Sequence, residues 1–214
     1  MTGNALDPDH LAHLSARDPR LKPLCAHFAH IQYRLRPGGF PALIGLIVEQ
    51  QLSVKAADTI LARLKGGVGE LTPQNLLDHS EESLRAYGLS RPKIAYARAL
   101  AEAMLRGDLD TAALMKMDIE TAASTLMAQK GIGRWTAEVY LMFAEGRLDL
   151  FPTGDVALRE ALGWLDGHQA RPDEPTCAER ARIWSPYRSV AAHLLWAWYG
   201  AVKRGEMTSG FLFA

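Results

Sequence analysis

Asp155 is a residue that could do chemistry. It follows Thr153-Gly154 and precedes the apolar run Val156-Ala157-Leu158. That setting is the one an N-cap aspartate occupies. A cap also fixes its carboxylate in space, and an aspartate facing a cleft can serve as a catalyst as well. A second candidate is the turn Gly131-Ile132-Gly133 between two apolar segments. Two glycines flanking one apolar residue let the backbone turn with positive φ and come close to another surface. The helix that follows presents its free N–H groups to an anion, and a phosphodiester is the obvious one. Ile132 would plug back into the core, and Thr136 and Ala137 are small enough for two hairpin helices to pack closely. The bare Gly-x-Gly also reads as an ordinary helix C-cap and connector. Trp184, Trp196 and Trp198 supply electron-rich faces and, equally, apolar bulk for a core.

The elements that must position these residues are helical. Ala57, Ile60, Leu61 and Leu64 fall at i, i+3, i+4 and i+7; Ile94, Ala97, Ala101 and Met104 follow within a small drift, and Trp135, Val139, Met142 and Phe143 repeat the face. Alternating strand patterns are almost absent. The pattern predicts an all-α chain of about ten short helices. Asp7-Pro8 opens a helix that Asp18-Pro19 breaks. Arg36-Pro37-Gly38-Gly39 precedes a helix, Ala42 to Val48, that reads as buried on all sides. Gly66-Gly67-Val68-Gly69 is expected to end the next one. Thr72-Pro73, Ser80-Glu81-Glu82, Ser90-Arg91-Pro92 and Asp118-Ile119-Glu120 read as helix starts. Asp166 to Pro175 reads as a polar loop.

The totals bound the class. The chain has 214 residues, 48% hydrophobic and 22% charged, with Lys+Arg and Asp+Glu balanced at 24 each. That suits a globular protein with an ample core. A net charge of zero argues against a basic cloud over the whole chain, yet a local basic face suffices for phosphate contacts. Two cysteines, Cys25 and Cys177, cannot by themselves ligate an iron–sulfur cluster or a structural zinc. A polar start, no signal peptide and no apolar run of membrane-spanning length lead us to expect a reduced cytosolic compartment.

Residues 126–143, LMAQKGIGRWTAEVYLMF, closely resemble the helix-hairpin-helix motif of the base-excision glycosylases. That pattern is Gly, an apolar residue, Gly, two variable positions, then Thr-Ala and an apolar helix. Here it reads Gly131-Ile132-Gly133-Arg134-Trp135-Thr136-Ala137. The family also carries a Gly/Pro-rich loop ending in its catalytic aspartate. Phe151-Pro152-Thr153-Gly154-Asp155 is similar, and the resemblance runs over about residues 38–200. It implies the HhH-GPD DNA glycosylase fold: two helical lobes flanking a DNA-binding and active-site cleft, within one domain spanning 1–214. One lobe is expected over about 42–150 and contains the hairpin; the other combines 1–41 and 151–214. No N-terminal β domain of the kind carried by longer bacterial enzymes is expected.

The resemblance implies that Asp155 is the catalytic carboxylate for hydrolysis of an N-glycosidic bond, after the base is rotated out of the duplex. Lys130, Gly131, Ile132, Gly133, Arg134 and Thr136 would hold the DNA backbone. Trp135, Trp196 and, with less support, Tyr187 would line the base pocket, and Trp198 is left with the core. The segment Trp184 to Trp196 resembles the pocket helix of the alkyladenine, AlkA-like branch. A methylated purine such as 3-methyladenine or 7-methylguanine carries positive charge and an already weakened bond, and an indole face attracts it by roughly 0.5–2 kcal/mol. Gln50, Gln51 and Leu52 are candidates for the wedge that fills the emptied stack, and also read as an ordinary connecting turn. Arg91, Lys93 and Arg98 are candidates for phosphate contacts or simply a solvated helix face. Lyase members of the family carry a lysine two residues after the second glycine. Trp135 stands there, so no strand cleavage is expected. Nor is an iron–sulfur cluster or other cofactor or metal, apart from the monovalent cation often found at this hairpin. The implied partner is double-stranded DNA with an alkylated base, met by a monomer in a bacterial-type cytoplasm. The competing readings are a non-catalytic hairpin module that only grips DNA, and a bifunctional oxidised-base glycosylase.

Overall fold

The computed structural model describes residues 5–211. The chain begins with α1 (Pro8–Arg17), a 3₁₀ turn (Pro19–Leu21) and α2 (Lys22–His27). Eight helices follow: α3 (Phe40–Glu49), α4 (Val54–Val68), α5 (Pro73–Leu77), α6 (Glu81–Ala86), α7 (Arg91–Arg106), α8 (Thr111–Leu114), α9 (Ile119–Met127) and α10 (Arg134–Ala144). The last are α11 (Val156–Leu165), α12 (Glu174–Ala181), a 3₁₀ turn (Arg182–Trp184) and α13 (Arg188–Lys203). An isolated bridge pairs Ala5 with Gln32, and no strand is formed among the described residues. No helix there is long and apolar enough to cross a membrane. The fold is all-α, with more helices than periodicity suggests. Helices α5 and α6 begin at the caps Thr72 and Ser80, as their start signals imply, whereas α8, a single turn capped by Asp110, is too short to show a 3.6-residue period.

The chain divides into two compact units, one formed by the residues up to Leu35 and from Gly146 onward, the other by Arg36–Glu145. In the first, α11 packs on α13 and α1 on α2, burying Leu14, Leu24, Leu158, Leu162, Trp184 and Trp198. A buried ion cluster ties these helices together. Arg180 donates to Asp18 and to both oxygens of Asp166, and the Trp184 indole N–H donates to Asp18 at 2.9 Å. In the second unit α3 is the centre. Every residue from Ala42 to Val48 is buried, which explains its lack of a polar face, and α4, α7 and α10 pack around it. The glycine-rich end of α4 differs from expectation. Gly66 and Gly67 stay helical and only Gly69, at φ 75°, ends the helix. Gly67 is there for packing, because a Cβ would lie 2.1 Å from the Tyr87 ring.

Candidate active site

Asp155 caps α11: its Oδ1 accepts the Leu158 N–H at 3.0 Å. The same oxygen accepts the Trp196 indole N–H at 3.2 Å. The carboxylate is half-buried, with two donors converging on one oxygen. The head of a helix is a favourable place for a negative charge. Trp196 itself is half-buried. The His193 ring meets it edge-on at 5.9 Å, and the Arg34 guanidinium lies 6.0 Å from its ring centre.

The start of α13 holds the loop that leads into Asp155. The Ser189 N–H donates to Leu148 O at 2.8 Å, and its hydroxyl donates to Arg147 O and accepts the Leu150 N–H at 3.0 Å. One step earlier, Arg188 Nε donates to Asp149 Oδ1 at 2.7 Å and Ser185 donates to Oδ2. Burial works against the Asp149 charge, but these hydrogen bonds outweigh it and hold the carboxyl below its usual range. One turn on, His193 donates from Nδ1 to Ser189 O at 2.7 Å and accepts the Arg34 N–H at Nε2. Burial pushes this imidazole down to about 4, so the ring is neutral and its partners fix the tautomer. Sequence reading missed Arg188, Ser189 and His193. A signal was present: Ser189 and His193 are polar residues at i, i+4 in a helical stretch otherwise filled by Val190, Ala191, Ala192, Leu194 and Leu195.

Tyr187 is not brought to Trp196. It sits ahead of α13 and stacks on His10 at 4.0 Å, with His13 against its edge. Trp184 and Trp198 are fully buried core residues. A cavity of about 410 Å³ beside Trp196 is walled by α2, its exit and the second half of α13. Asp155 is not among its walls, but Trp196, which donates to Asp155, is.

The hairpin lies in the other unit. Helices α9 and α10 flank the turn, and Ile132 is buried at 5% exposure. Gly131 has φ 85°, and a Cβ there would stand 2.2 Å from the Tyr96 ring. Both facts require glycine. Gly133 differs from expectation: its φ is −90°, it is the N-cap of α10, and a Cβ on it would meet nothing within 4 Å. It therefore leaves an open approach to the first N–H groups of the helix rather than making the turn. Lys130 is exposed, and with Gly131, Gly133 and the half-buried Trp135 it lines a shallow depression over the turn.

Several charges and polar groups assigned to DNA from sequence have internal partners instead. Arg134 donates to Glu138 at 2.8 Å and to both oxygens of Glu120. Thr136 is buried and accepts from Gln50 at 3.2 Å. Lys93 donates to Val48 O and Gln50 O, and Arg98 to His79 O. Of the three wedge candidates, Gln50 turns inward, its amide donating to Gly131 O at 2.9 Å. Gln51 and Leu52 are exposed. Among the described residues no group of three or more His, Cys, Asp or Glu is placed to hold a metal ion.

An all-helical chain with a glycine hairpin, a capped aspartate and a tryptophan on that aspartate defines a class. Residues 44–186 match the HhH-GPD superfamily of base excision DNA repair proteins, and the chain belongs to that superfamily. The solved structure of a DNA-3-methyladenine glycosidase from Bacillus halodurans is 34% identical, with a TM-score of 0.86 over 100% of this chain and 99% of that one. The Schizosaccharomyces pombe 3-methyladenine DNA glycosylase Mag1, solved in complex with abasic DNA, is 30% identical with a TM-score of 0.82, covering 94% and 99%. DNA-3-methyladenine glycosylase 2 of Escherichia coli is 31% identical over 72% of this chain and 54% of its own length.

Proposed function

We propose that this chain is a monofunctional DNA glycosylase that removes alkylated bases of the 3-methyladenine and 7-methylguanine type from duplex DNA, acting as a single chain. The observation that carries this reading is the Asp155 carboxylate, capped onto α11 and joined by the Trp196 indole N–H. In an N-glycosidic cleavage the bond electrons leave with the base and positive charge builds on the deoxyribose. A carboxylate already fixed beside that sugar stabilises the charge without reorganising. Water then adds to the sugar carbon, and its proton passes to the carboxylate or to solvent. A purine methylated on the ring leaves as a neutral base, so no acid is needed to protonate it. The aromatic face of Trp196 suits such a cationic base.

Similarity to proteins named DNA-3-methyladenine glycosylases supports the substrate class, and the abasic-DNA complex of Mag1 supports DNA as the partner. The indole of Trp135 at the position of the lyase lysine supports hydrolysis alone. Lys130 lies on the other side of the glycine turn. The chemistry asks for no cofactor.

The test is a duplex oligonucleotide carrying one 7-methylguanine. Base release leaving an abasic site without strand scission is the expected result, and Asp155→Asn should bind the duplex yet lose about 10³-fold or more in rate. Binding without release would make the chain a gripping module; borohydride trapping with strand cleavage would make it a lyase.

A further inference from the structure

The loop after α3 is held from two directions. Gln50 ends α3, and the chain then passes through Gln51 at φ 58°, the one non-glycine residue with positive φ among the described residues. A side chain in this left-handed region is strained and persists only where its surroundings hold it. Leu52 N–H donates back to Glu49 O at 3.2 Å, and Ser53 starts α4 by accepting the Ala56 N–H. The tip is apolar and open: Leu52 is 39% and Val54 79% exposed.

Lys93, in the first turn of α7, donates its ammonium to Val48 O at 2.7 Å and to Gln50 O at 2.8 Å. These are carbonyls that the end of a helix leaves without intrahelical partners, at the end that favours a cation. Desolvation lowers the pKa of this lysine, as expected for an ammonium turned into the protein rather than kept for solvent. Gln50 then spans the gap to the hairpin. Its Nε2 donates to Gly131 O at 2.9 Å and to Thr136 Oγ1 at 3.2 Å, one at the positive-φ glycine of the turn and the other on a buried hydroxyl of α10. The backbone of Gln50 is thus held by Lys93 while its side chain holds the hairpin.

We propose that Lys93 and Gln50 are positioning residues that lock the exposed Gln51-Leu52 tip to the glycine hairpin, so that gripping the phosphate backbone sets how far the tip is driven into the duplex. The inference rests on the glycosylase reading for its DNA partner. It assigns the lysine a role opposite to the phosphate contact that its charge suggests. A phosphate contact would act on affinity and its salt dependence; a lock acts on unstacking after the DNA is held.

The full-length chain and its Lys93→Met, Lys93→Arg and Gln50→Met variants would be mixed by stopped flow with a duplex holding an abasic-site analogue beside 2-aminopurine. That base fluoresces when unstacked, and no bond breaking is needed. We expect Lys93→Met and Gln50→Met to bind undamaged duplex within about twofold of wild type and with the same salt slope, and to unstack the probe more slowly by about tenfold or more, since each loses two hydrogen bonds involving a charge or buried amide. Lys93→Arg should recover most of the rate. Unstacking at the wild-type rate in both variants would overturn the proposal. So would a salt slope smaller by about one in Lys93→Met, the signature of a phosphate contact. If Lys93→Met does not fold, Gln50→Met decides alone, since it removes only the amide. Base release from the 7-methylguanine duplex, run on wild type alongside, reports the glycosylase reading separately.

Discussion

Replacing Trp196 with phenylalanine separates the two jobs that the proposed function assigns to one indole. Phenylalanine keeps an aromatic face for a cationic base but has no N–H for Asp155. The lost hydrogen bond is 3.2 Å long, at the far end of the N–H···O range. It ends on a half-buried carboxylate, where bonds to charged groups contribute about 1.5–3 kcal/mol. The length favours the lower figure, and about 1.5 kcal/mol corresponds to roughly a tenfold loss in rate. Asp155 keeps its second donor, the Leu158 N–H at 3.0 Å, so the carboxylate stays at the head of α11 and the loss should not be total. Trp196→Ala removes the face as well and should cost a further ~0.5–2 kcal/mol, about twofold to thirtyfold more. The assay is single-turnover release of 7-methylguanine with enzyme in excess, with affinity for an abasic duplex as the control for folding and binding. A phenylalanine variant as fast as wild type, alongside a crippled alanine variant, would show that the indole acts by its face alone and would refute a role for its N–H.

Gly131→Ala should lower Tm by about 5 °C or more, because it adds both a positive-φ penalty and a collision with Tyr96; Gly133→Ala, with open space around it, should cost under about 1 kcal/mol of stability and reduce DNA affinity instead. For His193 the buried ring titrates at about 4 in the fold against about 6.5 when unfolded. The unfolded chain therefore binds the extra proton between these values. The contribution of this group is complete above about pH 6.5 and is lost as pH falls toward 4, by about 3 kcal/mol. Denaturant titrations at pH 7 and pH 4.5 should show His193→Gln with the shallower dependence, and equal slopes would remove this assignment. Lys130→Gln should reduce the salt slope of DNA binding by about one, whereas Arg134→Gln, whose guanidinium is paired with Glu120 and Glu138, should leave it nearly unchanged.

The parts of this protein that the sequence made legible are those set by local backbone chemistry. Asp7, Asp118 and Asp155 are caps where their sequence context places them, and Gly131 makes the turn that its spacing with Ile132 implies. Long helices such as α7 run within a residue or so of their periodic pattern. Reading failed where a side chain chooses between solvent and a partner far along the chain. Arg134 meets Glu120 fourteen positions away, Gln50 meets Gly131 eighty-one away, and Lys93 meets the carbonyl of Val48 forty-five away. Nothing local distinguishes such a lysine from one on a solvated face. Tyr187 failed for a related reason. It stands at the head of the helix that carries Trp196, yet His10 and His13 of α1 claim its ring. Packing between helices distant in sequence decides which rings meet, and proximity along the chain does not.

Leu158, Trp196 and, through the preceding loop, Ser189 all help to station Asp155, and they belong with it to a single compact unit. The carboxylate is therefore in register with its own scaffold before any nucleic acid arrives. Encounter with a duplex need not recruit it by folding or by a moving lid. A sugar and a water brought to that spot would meet a negative charge whose surrounding dipoles were arranged during folding itself, so the orienting work is finished before the reaction begins.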